Sequence, residues 1–323
     1  MINAKQKLVV ILGPTASGKS ELAVQLAKKY NGEIISADSR QVYRELDIGS
    51  GKVPRDSIFR RFNPLMEVEP LYIYKGIIHH LLDVASPKKT FTVAQYQKLA
   101  KKALKKIIKN GKIPIICGGT GLYIDALIYD YQFPKVPPQP KLRKQLEKKS
   151  AEDLFKQLKK LDPRRAKNID KHNRRRLIRA LEIILTTRKP IPSLTILCGR
   201  SSGKNSNFDI LKIGITKSPE ELKKMIKKRL LKRLKIGMIE EVKNLRFKKG
   251  LSWKRLDDLG LEYRYIARYL RGLINKKEMI KLILKESYRY TKRQMTWFKR
   301  DKNIIWIDNP KKAVAICRDW LGL

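Results

Sequence analysis

Residues 13–20 read Gly13-Pro14-Thr15-Ala16-Ser17-Gly18-Lys19-Ser20, a complete G-x-x-x-x-G-K-[ST] phosphate loop. The apolar run Leu8-Val9-Val10-Ile11-Leu12 precedes it and the helical pattern Ser20-Glu21-Leu22-Ala23 follows. Strand, loop and helix in that order form the context in which this string binds phosphate rather than merely turning the chain. Gly13 and Gly18 allow a tight backbone whose N–H groups point inward at an anion. Lys19 adds a point charge, Ser20 offers a hydroxyl to Mg2+, and the helix N-terminus adds its dipole. A chance glycine-rich turn is the alternative. The motif predicts a bound phosphate or diphosphate, with a nucleotide such as ATP the default, and does not say which.

The same context constrains the fold. Residues 8–12 are short and wholly apolar, as expected of a strand buried on both faces of a parallel sheet. A helix over 20–30, a strand over 33–37, a helix over 91–109 stopped by Asn110-Gly111 and a strand over 113–117 continue the alternation. Such alternation predicts a doubly wound α/β domain whose ligands gather at the C-terminal strand ends, so the loops after residues 12, 37 and 117 should converge. Residues 53–78 read as an irregular insertion, and 133–140 as a proline-rich connector. Residues 141–190 are helical and very basic, 201–207 form a flexible polar linker, and 208–215 return as a strand. Helices follow over 218–236, 238–248 and 276–300, then a strand over 303–307 and a short closing helix. The reading is an α/β core of 1–130 and 208–323 interrupted by a helical insertion, 131–207.

Charge points to the partner. The formal net charge is +44, and it is unevenly spread: 21 basic and 11 acidic residues over 1–130 leave +10, whereas 53 and 19 over 131–323 leave +34. A small anion needs only a few cations, so this surplus suits a polyanion, nucleic acid first. Solvated, lysine-covered helix faces are the plainer account. Cys117, Cys198 and Cys317 form no C-x-x-C pair, which suggests neither a disulfide framework nor a zinc site. No apolar stretch approaches the length of a membrane span, and a cytoplasmic protein is expected.

Several further strings can carry chemistry. Asp38-Ser39-Arg40-Gln41-Val42-Tyr43 leaves the second strand, where an acid beside a phosphate loop holds Mg2+ through water or takes a substrate proton. An N-cap or surface turn is its alternative. Asp47-Ile48-Gly49-Ser50-Gly51-Lys52 reads as an ordinary surface loop. His79-His80-Leu81-Leu82-Asp83 lacks a third ligand at metal spacing, so structural or hydrogen-bonding roles are preferred. Gly118-Gly119-Thr120-Gly121-Leu122-Tyr123 permits close backbone approach and brings the Thr120 hydroxyl near the phosphate loop, unless it is a plain turn. Asp162-Pro163-Arg164-Arg165 and the run from His172 through Asn173, Arg174, Arg175 and Arg176 to Arg179 set arginines on helices. Arginine forks suit phosphates and stack on bases. Tyr288, Arg289, Tyr290, Lys292, Arg293, Lys299 and Arg300 make a second basic and aromatic segment, with Trp297 and Phe298 as core.

Taken in order with Asn173-Arg174-Arg175-Arg176-Leu177-Ile178-Arg179-Ala180-Leu181-Glu182 and Lys292-Arg293-Gln294-Met295-Thr296-Trp297-Phe298, these motifs resemble the bacterial tRNA dimethylallyltransferases, also called tRNA isopentenyltransferases. The resemblance implies a P-loop NTPase-like, doubly wound parallel sheet with an inserted basic helical domain. It implies transfer of a dimethylallyl group from dimethylallyl diphosphate to N6 of the adenosine 3′-adjacent to the anticodon, assisted by Mg2+ that Ser20 helps to hold. Residues Gly13, Pro14, Thr15, Ala16, Ser17, Gly18, Lys19 and Ser20 then grip the diphosphate. Asp38 matches the catalytic base, Thr15 a catalytic position at the donor site, and Thr120 a position near the reacting nucleotide. Asp38, Ser39, Arg40 and Gln41, and His172, Asn173, Arg174, Arg175 and Arg176, match positions that touch tRNA. The amine is inaccessible in a stacked loop, so the base should flip into a channel, with the insertion clamping the anticodon stem through phosphates. A monomer suffices. The chain departs from the family at 53–78, which is longer than expected, and at Leu259-Gly260-Leu261-Glu262-Tyr263-Arg264-Tyr265, where many members carry a Gly-Tyr-(Arg/Lys) turn. A small-molecule or nucleoside kinase is the main rival, but it has no use for the charge of the second part. A nucleic-acid-dependent P-loop ATPase would need a strand ending in Asp-Glu, where this chain has Cys117-Gly118-Gly119.

Overall fold

β1 (Gln6–Leu12) is buried from Leu8 to Leu12 and delivers the phosphate loop to α1 (Lys19–Lys29), whose residues Leu22, Ala23, Leu26 and Ala27 bury one helical face. The computed structural model describes residues 5–56, 71–191 and 208–323. β2 (Gly32–Ser36) follows, and then a hairpin of β3 (Tyr72–Tyr74) and β4 (Ile77–His80). The hairpin corrects the reading of 53–78 as wholly irregular. Lys75 and Gly76 both take positive φ in its two-residue turn, and the Asp56 carboxylate accepts their two N–H groups at 3.0 and 2.9 Å. Strands of three and four residues are too short to announce themselves by alternation. Residues 57–70 of that insertion, and the linker expected at 201–207, lie outside the described residues.

α2 (Val93–Lys109) starts at a capping box formed by Thr92 and Gln95. β5 (Ile113–Gly118) and α3 (Gly121–Ile128) complete the first half. The helical segment comprises α4 (Pro140–Leu146), α5 (Ala151–Leu161), α6 (Pro163–Lys167) and α7 (Arg174–Thr187). The chain then returns through β6 (Phe208–Ile215) to α8 (Pro219–Lys235) and α9 (Met238–Lys243), which runs into a π-helical turn, Asn244–Lys248. Sequence reading joined the last two as one regular helix. The wider turn, closed by Lys249 N–H on the Asn244 carbonyl, instead carries Leu245 and then Leu251 into the core. α10 (Trp253–Leu259) and α11 (Leu261–Leu270), unassigned from sequence, meet at Gly260, which takes φ +76°. α12 (Lys276–Phe298), β7 (Ile305–Ile307) and α13 (Pro310–Leu321) close the fold.

The described strands form one sheet in the order β3-β4-β2-β5-β1-β6-β7, parallel throughout except at the β3–β4 edge. α1 and α13 share one apolar cluster with the strands, while α2 buries Tyr96, Ala100, Leu104 and Ile107 against β2 and β5. The chain leaving β1 crosses β5 to reach β2, and the chain leaving β5 eventually crosses β1 to reach β6. Their loops diverge at adjacent strand ends, which opens a crevice there.

The chain divides into two compact units, 1–127 with 207–323, and 128–206. The division falls at the end of α3, and Val136 of the proline-rich connector belongs to the helical unit's own core with Leu154, Leu158, Leu177 and Leu181. That core also encloses Glu182, whose carboxylate accepts from Gln139 N–H, Arg143 and Arg179. Burial alone would raise its pKa, but these donors outweigh burial and hold it at about 2.

Candidate active site

The loop after β1 owes its shape to two glycines. Gly13 sits at φ +143°, and a Cβ there would lie 2.6 Å from the Ile215 carbonyl oxygen at the end of β6. Gly18, at φ +91°, forms the N-terminus of α1, and Ala16 between them also takes a left-handed conformation at φ +67°. A non-glycine residue held there stores strain, as binding loops often do. Lys19 reaches back to the Pro14 carbonyl. Burial depresses its pKa to about 8, and nearby Arg229 adds to that against the pull of Cys117 and Asp38. The Ser17 hydroxyl is buried and makes no hydrogen bond. An anion in the loop would satisfy these groups.

The ends of β2 and β5 are stitched to each other beside this loop. Thr120 N–H donates to the Ala37 carbonyl at 3.1 Å, and Ser39 N–H donates to Thr120 Oγ1 at 3.1 Å. Gly118 permits the approach, since a Cβ on it would lie 2.2 Å from Ala37 O. The Asp38 carboxylate accepts through Oδ1 from Arg40 N–H at 2.8 Å and Gln41 N–H at 3.3 Å, leaving Oδ2 without a partner among the described residues. The three loops expected to converge therefore do so. Residues of the phosphate loop, Asp38 and Gln41, and Cys117 to Gly119 line one cavity of about 470 Å3, within the range of small-molecule sites. Cys117 contributes an inert wall: burial pushes its thiol up to about 11.

A second cavity, of about 280 Å3, adjoins the first, and Thr15, Asp38, Ser50 and Arg229 line both. Its far walls include Ser39, Arg40, Arg264, Tyr290 and Arg293. Tyr290 is hydrogen-bonded to Thr120; burial, reinforced by the Asp38 charge, raises its phenol to about 12. Arg229 was not singled out from the sequence. It sits in the lysine-rich α8, where its charge reads as one more solvated cation. In the fold its guanidinium has no hydrogen bond or ion pair among the described residues, and burial followed by repulsion from Arg233 lowers its pKa to about 10.

The Asp47–Lys52 string is not the surface loop that sequence suggested. The Glu241 carboxylate accepts the N–H groups of Asp47, Ile48 and Gly49 at 2.9, 2.6 and 3.0 Å, so the loop's amides are already occupied. Lys52 is buried and bonds the Tyr43 carbonyl, Asp47 and Asp83. Gly51 lies against the Arg233 guanidinium, which bonds Gly49 O at 3.2 Å and Glu262 at 3.1 Å. The string is thus a rigid wall shared by both cavities. His80 bonds the buried Glu33 at 2.6 Å, and Glu33 also bonds Lys112 at 2.8 Å, a hydrogen-bonding role of the kind expected.

In the helical unit, Asn173 caps α7 by accepting Arg176 N–H at 3.2 Å. Arg174 is committed to the Glu147 and Lys149 carbonyls at 2.6 and 2.9 Å. His172, Arg175 and Arg176 are exposed.

With this geometry in view, the relatives become informative. Residues 41–301 match the family model of the IPP transferases, and residues 6–63 match that of the isopentenyl transferases. The chain belongs to the IPP transferase family. It is 40% identical over 304 residues to a tRNA dimethylallyltransferase of Anoxybacillus flavithermus, covering 94% of this chain and 90% of that one. The crystal structure of a tRNA delta(2)-isopentenylpyrophosphate transferase from Staphylococcus epidermidis superposes with a TM-score of 0.67 at 33% identity, covering 98% and 99% of the two chains. A eukaryotic dimethylallyltransferase acting on tRNA gives 0.74 at 26% identity, covering 98% of this chain and 80% of that one. These relatives support the transferase reading over the kinase, and the family's P-loop NTPase-like fold is the one described above. Among the described residues, no helix is long and apolar enough to cross a membrane.

Proposed function

We propose that the protein transfers the dimethylallyl group of dimethylallyl diphosphate to N6 of the adenosine 3′-adjacent to the anticodon of tRNA, acting in the cytoplasm as a monomer. The observation that carries this reading is the meeting of two cavities at Asp38 and Arg229. One cavity is built for a diphosphate, with Lys19 and the loop amides on one side and Arg229 on the other. The second offers tyrosine and arginine surfaces of the kind that accept an unstacked base. In the reaction N6 attacks C1 of the dimethylallyl group, the C1–O bond breaks, and diphosphate leaves with the electron pair. Lys19 and Arg229 stabilise the charge that develops on it. The N6 proton passes to Asp38, whose free Oδ2 is the acceptor because backbone N–H groups hold Oδ1.

Ser20 supplies a hydroxyl oxygen in the diphosphate cavity, and Mg2+ takes only one or two protein ligands beside phosphate oxygens and water. That donor fits a Mg2+ bound mainly by the substrate, where it would neutralise charge on the departing diphosphate. The exposed Arg175 and Arg176 suit phosphates of the anticodon stem. The test is incubation with tRNA bearing adenosine at that site and labelled dimethylallyl diphosphate, without ATP. Label in the RNA is the expected result; ATP turnover with no labelled RNA would remove the reading in favour of a kinase.

A further inference from the structure

We propose that Gln294 is a positioning residue that sets the distance between the donor loop and the acceptor turn. The assignment rests on the transferase reading and deepens it. Gln294 lies on α12 and is 5% exposed. Its carboxamide makes two hydrogen bonds of opposite sense: Oε1 accepts from Thr15 N–H at 2.9 Å, and Nε2 donates to the Gly119 carbonyl at 2.8 Å. One neutral side chain therefore ties the loop after β1 to the turn after β5. The contact is close enough that a Cβ on Gly119 would lie 2.2 Å from Nε2. Turning the amide over would oppose donor to donor and acceptor to acceptor, so its orientation is fixed.

The consequence concerns Thr15. Its N–H is spent on Gln294 rather than aimed at the anion, and Thr15 is one of the few residues that line both cavities. One helical turn earlier on the same face, Tyr290 is hydrogen-bonded to Thr120. α12 thus walls the acceptor cavity through Ser287, Tyr290 and Arg293 and clamps the donor loop through Gln294. A shift of about 1 Å between the two substrates costs roughly 100-fold in rate, so losing this clamp should lower kcat more than it weakens binding of either substrate.

Only a group that both accepts and donates can replace the amide. A protonated carboxyl does so, while a carboxylate offers no donor and repels the Gly119 oxygen. The experiment compares wild type, Gln294→Glu and Gln294→Met for labelled transfer between pH 5.5 and 7.5, together with KM for each substrate, tRNA retention on filters and Tm. Gln294→Met should lose about 100-fold in kcat at every pH, with tRNA retention near wild type and only a small fall in Tm from the unpaired Thr15 N–H and Gly119 carbonyl. Gln294→Glu should retain activity at the acid end and lose it towards tenfold per pH unit once the carboxyl ionises. That is opposite to any slope from a carboxylate base in the wild type. A Gln294→Glu profile parallel to wild type, or loss of tRNA retention and Tm in step with kcat in both variants, would overturn the assignment. A wild-type enzyme that transfers no label would instead overturn the transferase reading beneath it.

Discussion

At the scale of single residues, the proposed reaction separates groups that would bind charge from the group that would take a proton. Asp38 is held through Oδ1 and free at Oδ2, so Asp38→Asn keeps the backbone hydrogen bonds while removing the base. We expect kcat to fall by about 100-fold or more with tRNA binding within about twofold, checked by labelled transfer and filter retention; equal loss of both would contradict a base role. Lys19 differs, since burial holds its pKa near 8. On the proposed reading its charged form grips the diphosphate, and that form is present below pH 8 and lost as pH rises through it. KM for the donor should therefore climb above pH 8 while KM for tRNA stays flat. Neither effect is visible in the string Gly-Lys-Ser, which names the lysine but not the depth at which it sits.

At the scale of elements, regular pieces follow from local pattern and short or composite ones from packing. The strands around the phosphate loop, α2 and β6 are apolar or amphipathic over enough residues to declare themselves. The β3–β4 hairpin and the π-helical turn are not, because three residues or a single widened turn leave no period to read. The loop after β2 shows the same limit in the site. Its glycines and lysine resemble a surface turn until Glu241, Arg233 and Lys52 are seen to fill it. Arg233 and Glu262 are 6% and 8% exposed and pair at 3.1 Å. Breaking one partner of a buried pair strands the other charge, so Glu262→Gln should cost about 3 kcal/mol. Replacing both, as in Arg233→Met with Glu262→Leu, should recover most of that loss. Thermal unfolding of the single and double variants decides it; additive losses would mean the pair is not coupled.

At the scale of the whole molecule, the +44 charge has two fates. Some cations are bonded within the protein: Arg143 and Arg179 hold Glu182, Arg174 binds carbonyls, and the buried Arg233 and Lys52 brace the cavity wall. Others, Arg175 and Arg176 among them, remain exposed. Reversing both exposed charges should weaken tRNA binding by about tenfold or more at low salt, and should shallow its salt dependence by roughly one unit for each phosphate no longer neutralised. Donor binding should not change; an unaltered salt slope would remove those arginines from the interface. Sequence by itself determined the phosphate loop, the alternating α/β core, the basic insertion and the family resemblance, because each is written in contiguous residues or in ordered motifs. Only the tertiary structure decided which cations are buried against partners in the protein and which stay exposed. It also brought Arg229, Tyr290 and Gln294 to the loops of β1, β2 and β5. The physical reason is that burial and partnership are properties of residues far apart in the chain, and a charge reveals its role only once its neighbours are in place.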